Sequence, residues 1–185
     1  MRTKLLTGAG GFVAAAISLG YSLYEQRKAE VVPVVAIGAS VDAGRWEVAV
    51  FASGIASTMP NGARVSPGKQ AIAVNMMLEN ISAESSNLYG ELIKLSNVAD
   101  APKPQYYLTR DRAILWDLQP RIPEAVTAVW EVPAELELPT VLHLHIDGSH
   151  FKPRDNLYAA PGWFSSGSVA EVSLPLDGAA PRAQP

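Results

Sequence analysis

The apolar positions along this chain follow two different rhythms. Leu5 to Tyr24 is twenty residues without a charged side chain, whereas everything after about residue 31 comes in short apolar runs that alternate with polar residues. Twenty apolar residues in a helix match the roughly 30 Å hydrocarbon core of a bilayer. Alternation with a period of two predicts half-buried β-strands. Val31 to Ile37 is a β-branched run whose Pro33 suits a first or edge strand. Trp46, Val48, Val50 and Ala52 share one face of the next strand, and Ile72, Val74, Met76 and Leu78 share one face of the longest, Ala71 to Ile81. Leu92 to Leu95 is brief. Ala125 to Val132 sets Val126, Ala128, Trp130 and Val132 against Thr127, Val129 and Glu131, and Val141 to Ile146 and Val169 to Leu174 complete the series. Turn residues such as Pro60-Asn61-Gly62, Ser66-Pro67-Gly68 and Asp147-Gly148 separate the runs. This pattern predicts an all-β, antiparallel β-sandwich preceded by one N-terminal transmembrane helix.

The first segment has two readings. A cleaved signal peptide shares its basic start, apolar middle and small residues such as Ala14-Ala15-Ala16. The apolar run continues past that point, however, and ends in Tyr21, Tyr24 and then Arg27-Lys28, the aromatic and basic collar of an uncleaved anchor. Arg2 and Lys4 keep the short N-terminus in the cytoplasm under the positive-inside rule, which sends the remainder outside. Gly10, Ala14, Ser18 and Ser22 recur every four residues and form a smooth stripe suited to packing against a second helix. The predicted organisation is an anchor over 1–28, a sandwich over 29–175 and a disordered tail over 176–185.

Charge narrows the partners of the second region. From residue 29 onward it carries 11 basic and 17 acidic side chains, a net charge of −6. Such a balance favours solubility and opposes nucleic acid or an anionic lipid surface as a partner. The absence of cysteine removes disulfides, thiolate metal sites and cysteine nucleophiles.

Candidate chemistry is sparse. All three histidines lie within eight residues: His143 and His145 face the same way on a strand, and His150 could join them with Asp147 as a zinc or copper set. The competing reading places the histidines on the wet face of a strand whose Leu142, Leu144 and Ile146 fill the core. Residues 151–164 form a predicted loop dense in aromatics. There Arg154, Tyr158, Trp163 and Phe164 are candidates for partner binding, because aromatics and arginine are enriched at binding hot spots. The alternative is a flap that covers an open edge of the sandwich. Asn80-Ile81-Ser82 matches a glycosylation acceptor, a short pattern common by chance. No nucleophile elbow, phosphate loop or convergent carboxylate set is visible, so no catalytic residue and no cofactor is expected.

Two stretches resemble a known family. Gly68 to Ser82 is a turn and a strand that ends in Leu78-Glu79-Asn80 before a polar loop; Leu118-Gln119-Pro120 then precedes Ala125 to Pro133, with Trp130-Glu131-Val132-Pro133 at its end. The pair resembles bacterial domain of unknown function family 4352, Ig-like modules carried outside the membrane. Trp130 stands where phenylalanine is commoner, and Arg121 stands where a glycine would follow Pro120. The resemblance implies an Ig-like fold and an extracytoplasmic setting, and no chemistry.

These observations point to a single-pass protein of the bacterial cytoplasmic membrane with its domain outside the cytoplasm. It would serve as an interaction module or accessory subunit for another membrane or envelope protein, a second copy included. A periplasmic metal-binding protein using His143, His145 and His150 is the alternative. An uncleaved anchor predicts that the mature chain keeps its N-terminus and stays in the membrane fraction through an alkaline carbonate wash. A soluble product that starts near Ala16 or later would establish cleavage instead.

Overall fold

The computed structural model describes residues 17–19, 21, 32–155, 157 and 159–178. The chain divides into two units, Met1–Val32 and Pro33–Pro185. In the first, residues 17–19 and 21 are helical and exposed, and the rest of the expected anchor, including Gly10, Ala14 and Ser22, lies outside the described residues. Among the described residues no helix is long and apolar enough to cross a membrane.

The second unit is a β-sandwich of ten strands: β1 (Val34–Val35), β2 (Ser40–Asp42), β3 (Trp46–Ala56), β4 (Lys69–Asn80), β5 (Ile93–Leu95), β6 (Gln105–Leu108), β7 (Ala113–Ile114), β8 (Glu124–Pro133), β9 (Val141–Lys152) and β10 (Gly162–Asp177). One layer has the order β2-β3-β4-β8-β6-β7, the other β1-β10-β9-β5. Pairing is antiparallel except at two places. β1 runs parallel to β10, and the end of β10 crosses to the other layer, where Leu176 and Asp177 pair in parallel with Ser53 and Gly54 of β3. β10 therefore belongs to both layers.

Alternation explains the core. Ile72, Val74 and Leu78 of β4 are fully buried and Met76 nearly so, facing Leu142, Leu144 and Ile146 of β9 and Val172 and Leu174 of β10 in one continuous cluster with Trp130. Burying one such side chain stabilises by about 1.5–3 kcal/mol, and with no cysteine in the chain this apolar contact holds the layers together. β8 departs from the expected one-sided pattern, since Val126 through Trp130 are all buried. The cause is a second small cluster on the outer face, in which Ala71, Tyr107 and Val129 are capped by Met59 and Val65 from the segment after β3.

Three further departures have local causes. A bulge at Phe51 shifts the register between Val50 and Ala52, so Ser53 rather than Ala52 turns inward. The Ser53 hydroxyl is satisfied there by donating to the Pro175 carbonyl at 2.8 Å. The expected 151–164 loop is largely strand: β9 and β10 extend as a hairpin with Phe151 opposite Trp163, and only 153–161 connects them. The expected tail begins later than Pro175, because Leu176 is buried and its N–H donates to the Thr140 carbonyl. Residues 179–185 lie outside the described residues.

The turn between β2 and β3 sets one end of the sandwich. Gly44 has φ +82°, and a Cβ there would sit 1.6 Å from the Ser149 carbonyl oxygen of β9. Asp42 accepts the Gly44 N–H, and the Ser149 N–H donates to Ala43, which locks the turn onto β9. Gly44→Ala should lower stability by about 3 kcal/mol, combining left-handed strain with overpacking. Equilibrium urea unfolding measures it, and a change within 0.5 kcal/mol (about the level of a neutral surface substitution) would show that β9 yields at no cost.

Candidate functional site

Several connections meet at the end of the sandwich where β4 and β9 stop and β3 and β10 start. Trp46 pairs with Asn80 across β3 and β4, so the chain leaving β4 begins beside the β2–β3 turn. The segment 81–92 is then fastened inward. The Trp46 indole donates to the Leu88 carbonyl at 3.2 Å, and the Tyr89 hydroxyl donates to the carbonyls of Leu115 and Trp116 at 2.7 and 2.9 Å. Trp46, Tyr89 and Tyr106 follow one another in edge-on contacts with centroids 5.8 and 4.9 Å apart. Burial, reinforced by Asp117, pushes the Tyr89 phenol up to about 12, which keeps it a donor at any physiological pH.

Asn80 organises the polar part. Its side chain is fully buried; Nδ2 donates to the carbonyls of Glu84 and Leu118, while Oδ1 accepts from the N–H and hydroxyl of Ser82. The Asn80 carbonyl accepts the Arg121 N–H. The end of β4 and the segment 118–121 thus touch through Asn80, and its amide is consumed internally, out of reach of glycosylation. Arg121 has φ +61°, a left-handed conformation that favours glycine.

Between these loops and the β9–β10 hairpin lies an open cleft of about 750 Å3. Segment 81–88 forms one wall, and Arg45, Asp117, Phe151, Pro161, Gly162 and Trp163 complete it. Arg45, first residue after the Gly44 turn, stacks its guanidinium 4.8 Å from the Trp163 ring centroid, and Trp163 lies 5.5 Å from Phe151. Arg45 Nη1 donates to the Ser86 hydroxyl at 3.0 Å. Burial holds the Arg45 pKa below the usual arginine value, with Glu84 opposing the shift. A second hollow of about 300 Å3 shares Arg45, Leu88 and Trp163 and continues to Lys94, Asp147 and Ser149. The Arg45–Trp163 stack is the partition between the two.

The expected partner-binding residues distribute unevenly. Trp163 lines the cleft. Phe164 points to the opposite face of the hairpin, with Lys152 Nζ 4.8 Å from its ring and His150 beside it at 6.2 Å. Arg154 is exposed in the connection between β9 and β10, and Tyr158 lies outside the described residues.

The histidines separate in the same way. His143 and His145 face out of the sandwich around Glu171, with Nδ1 of His143 at 2.9 Å and Nε2 of His145 at 3.4 Å from its two carboxylate oxygens. His150 is an odd number of residues further along an unbulged strand, so it faces the other way and contacts the Ser166 hydroxyl. Among the described residues no group of three or more His, Cys, Asp or Glu could hold a metal ion.

No known protein-family profile and no curated protein matches this chain. A solved structure, an uncharacterized beta-sandwich protein from Clostridium difficile 630, aligns with 74% of this chain and 97% of its own at 11% identity and a TM-score of 0.47.

Asn80→Ala should cost about 3 kcal/mol, because it removes a partner from the buried Leu118 carbonyl, from the Glu84 carbonyl and from Ser82. It should also free segment 81–88, so that limited proteolysis cuts there first. Unchanged urea unfolding together with an unchanged cleavage pattern would show that Asn80 does not organise this end.

Proposed function

We propose that this chain is a membrane-anchored interaction module, an Ig-like sandwich displayed outside the bacterial cytoplasmic membrane, that binds another membrane or envelope protein through its cleft-bearing end. The observation that carries the reading is the exposure of large apolar side chains in the cleft lining, Leu88 at 69% and Phe151 at 50%, with Trp116, 75% exposed, next in the chain to the lining residue Asp117. Apolar side chains that a fold leaves uncovered together mark an interaction surface more often than isolated ones do.

Strand order supports the Ig-like part. With β3, β4, β5, β6, β8, β9 and β10 taken as A to G, the layers have the orders A-B-E-D and C-F-G, those of the constant-type immunoglobulin sandwich. In that arrangement the cleft is walled by the B–C connection and the F–G hairpin, the loops that variable domains use for recognition. The cleft hydroxyls of Ser82, Ser85 and Ser86 are engaged within the protein, which suits a preformed surface better than a nucleophile.

Affinity purification from solubilised membranes tests the reading. Leu88→Ser/Trp116→Ser, at exposed positions, should leave the melting temperature unchanged. It should reduce recovery of the co-purifying protein at least about tenfold, as expected for hot-spot loss above 1.4 kcal/mol. The same co-purifying proteins in the same yield from wild type and variant would overturn the assignment of this end.

A further inference from the structure

Arg45 feels the charge of Glu84 but forms no ion pair with any described residue. Three other cations of the domain meet carboxylates: Lys94 with Asp147 and Glu91, Lys103 with Glu91, and Arg110 with Glu124. Arg45 is partly desolvated, and no carboxylate lies within ion-pair distance among the described residues. Its one side-chain hydrogen bond goes from Nη1 to Ser86, its Nε is buried without a partner, and Nη2 makes no bond to any described residue. Among the described residues the Tyr106 hydroxyl is the other buried side-chain atom without a partner, and it is enclosed in the core beside the Ile93 backbone. Arg45 is different because it forms a wall of an open cleft.

Resting on the reading of this end as a binding surface, we propose that the cleft receives a carboxylate, which pairs with the Arg45 guanidinium while an apolar group beside it packs on Phe151 and Trp163. A guanidinium presents donors in a planar fork that matches a carboxylate, and that pairing strengthens where water is displaced. The stack on Trp163 and the bond to Ser86 fix the plane of the fork before anything binds. Glu84 and Asp117 also line the cleft and select against a dianion such as phosphate. The volume of about 750 Å3 suits a small organic acid or the end of a peptide. Both sources offer the same group, a monocarboxylate with an aromatic or aliphatic neighbour.

The test uses the full chain with 15N-labelled tryptophan indoles, in which the buried Trp46 and Trp130 report on folding and Trp163 reports on the cleft. The probes are N-acetylphenylalanine, its amide, inorganic phosphate, and a tetrapeptide ending in phenylalanine with a free or amidated C-terminus. The acid should shift the Trp163 resonance saturably with Kd of about 1 mM or below, the range of a weak small-ligand contact. The amide and phosphate should bind at least about tenfold more weakly. If the free-ended peptide binds more tightly than the small acid and its amidated form does not, the source is a chain terminus; equal affinity of acid and peptide assigns the site to the small acid. Arg45→Lys, which keeps the charge and loses the fork, should weaken the acid about tenfold, and Arg45→Gln should abolish its effect. Equal binding of acid and amide, or no saturable shift up to about 20 mM, overturns the proposal. The wild-type comparison decides even if a variant fails to fold. Loss of carboxylate binding with the co-purifying protein retained would refute this inference alone and leave the interaction module standing.

Discussion

The cleft-bearing end of this sandwich depends on one buried carboxamide. Asn80 ends β4 and uses both amide hydrogens and its oxygen to fix Glu84, Leu118 and Ser82. A loop of this length would otherwise sample many conformations, and ordering each residue costs about 1–2 kcal/mol of backbone entropy. A buried amide with all its partners resists any rearrangement that strands them, since each unpaired group costs about 1–3 kcal/mol. The apolar core fixes the layers, but it cannot specify a polar loop. Asn80 does so by converting the loop's own carbonyls into partners. Trp46 and Tyr89 extend that control by bonding to loop carbonyls from an aromatic base.

The alternation of apolar residues made the central strands legible. Ile72, Val74, Met76 and Leu78 read as one face in the sequence and line one face in the structure. Alternation failed where the backbone breaks its own period. The bulge at Phe51 reverses the faces of β3 after Val50, and nothing in Val-Phe-Ala-Ser marks the inserted residue. It failed again where polarity in the sequence hid a strand. Gln105-Tyr106-Tyr107-Leu108 is bracketed by prolines and a charged turn, yet it joins a layer between β8 and β7 because both tyrosines find cover, Tyr106 in the main core and Tyr107 in the outer cluster. The aromatic stretch after Ile146 looked like a loop because two glycines and several polar residues interrupt it. Cross-strand pairing of Phe151 with Trp163 supplies the reason for it to be a hairpin.

The site was harder to read than the fold. Trp163 stood out by composition, and the structure places it in the cleft wall. Arg45 gave no local signal: it is an ordinary charged residue between a turn glycine and a strand. Its importance comes from contacts with Ser86, Ser149 and Trp163, which are 41, 104 and 118 positions away in sequence. Asn80 carried a partial signal, since an asparagine two residues before a serine at a strand end is the pattern of a side chain that bonds its own loop. The histidines show the reverse. Their closeness in sequence suggested a cluster, and strand geometry divides it, because an odd spacing on an unbulged strand puts His150 on the face opposite His145.

Arg45 illustrates what a fold tolerates in the wall of its cleft. A desolvated guanidinium with an unpaired Nε weakens the folded state, and a hydrophobic residue on Trp163 would remove the penalty. The surrounding structure is nevertheless arranged to keep the guanidinium in place. Gly44 brings the turn against Ser149, the Ser149 hydroxyl accepts the Arg45 N–H, and Ser86 holds one end of the fork. Local rules and global packing agree along β4 and β9, where each inward residue lowers the energy of the same state. They disagree at Arg45, and such disagreements concentrate at sites that meet something other than the protein itself. The rest of the cleft is consistent with that distinction. Its serines are engaged internally, Phe151 and Trp163 are held by one another, and the Arg45 guanidinium lines it with Nη2 bonded to no described residue.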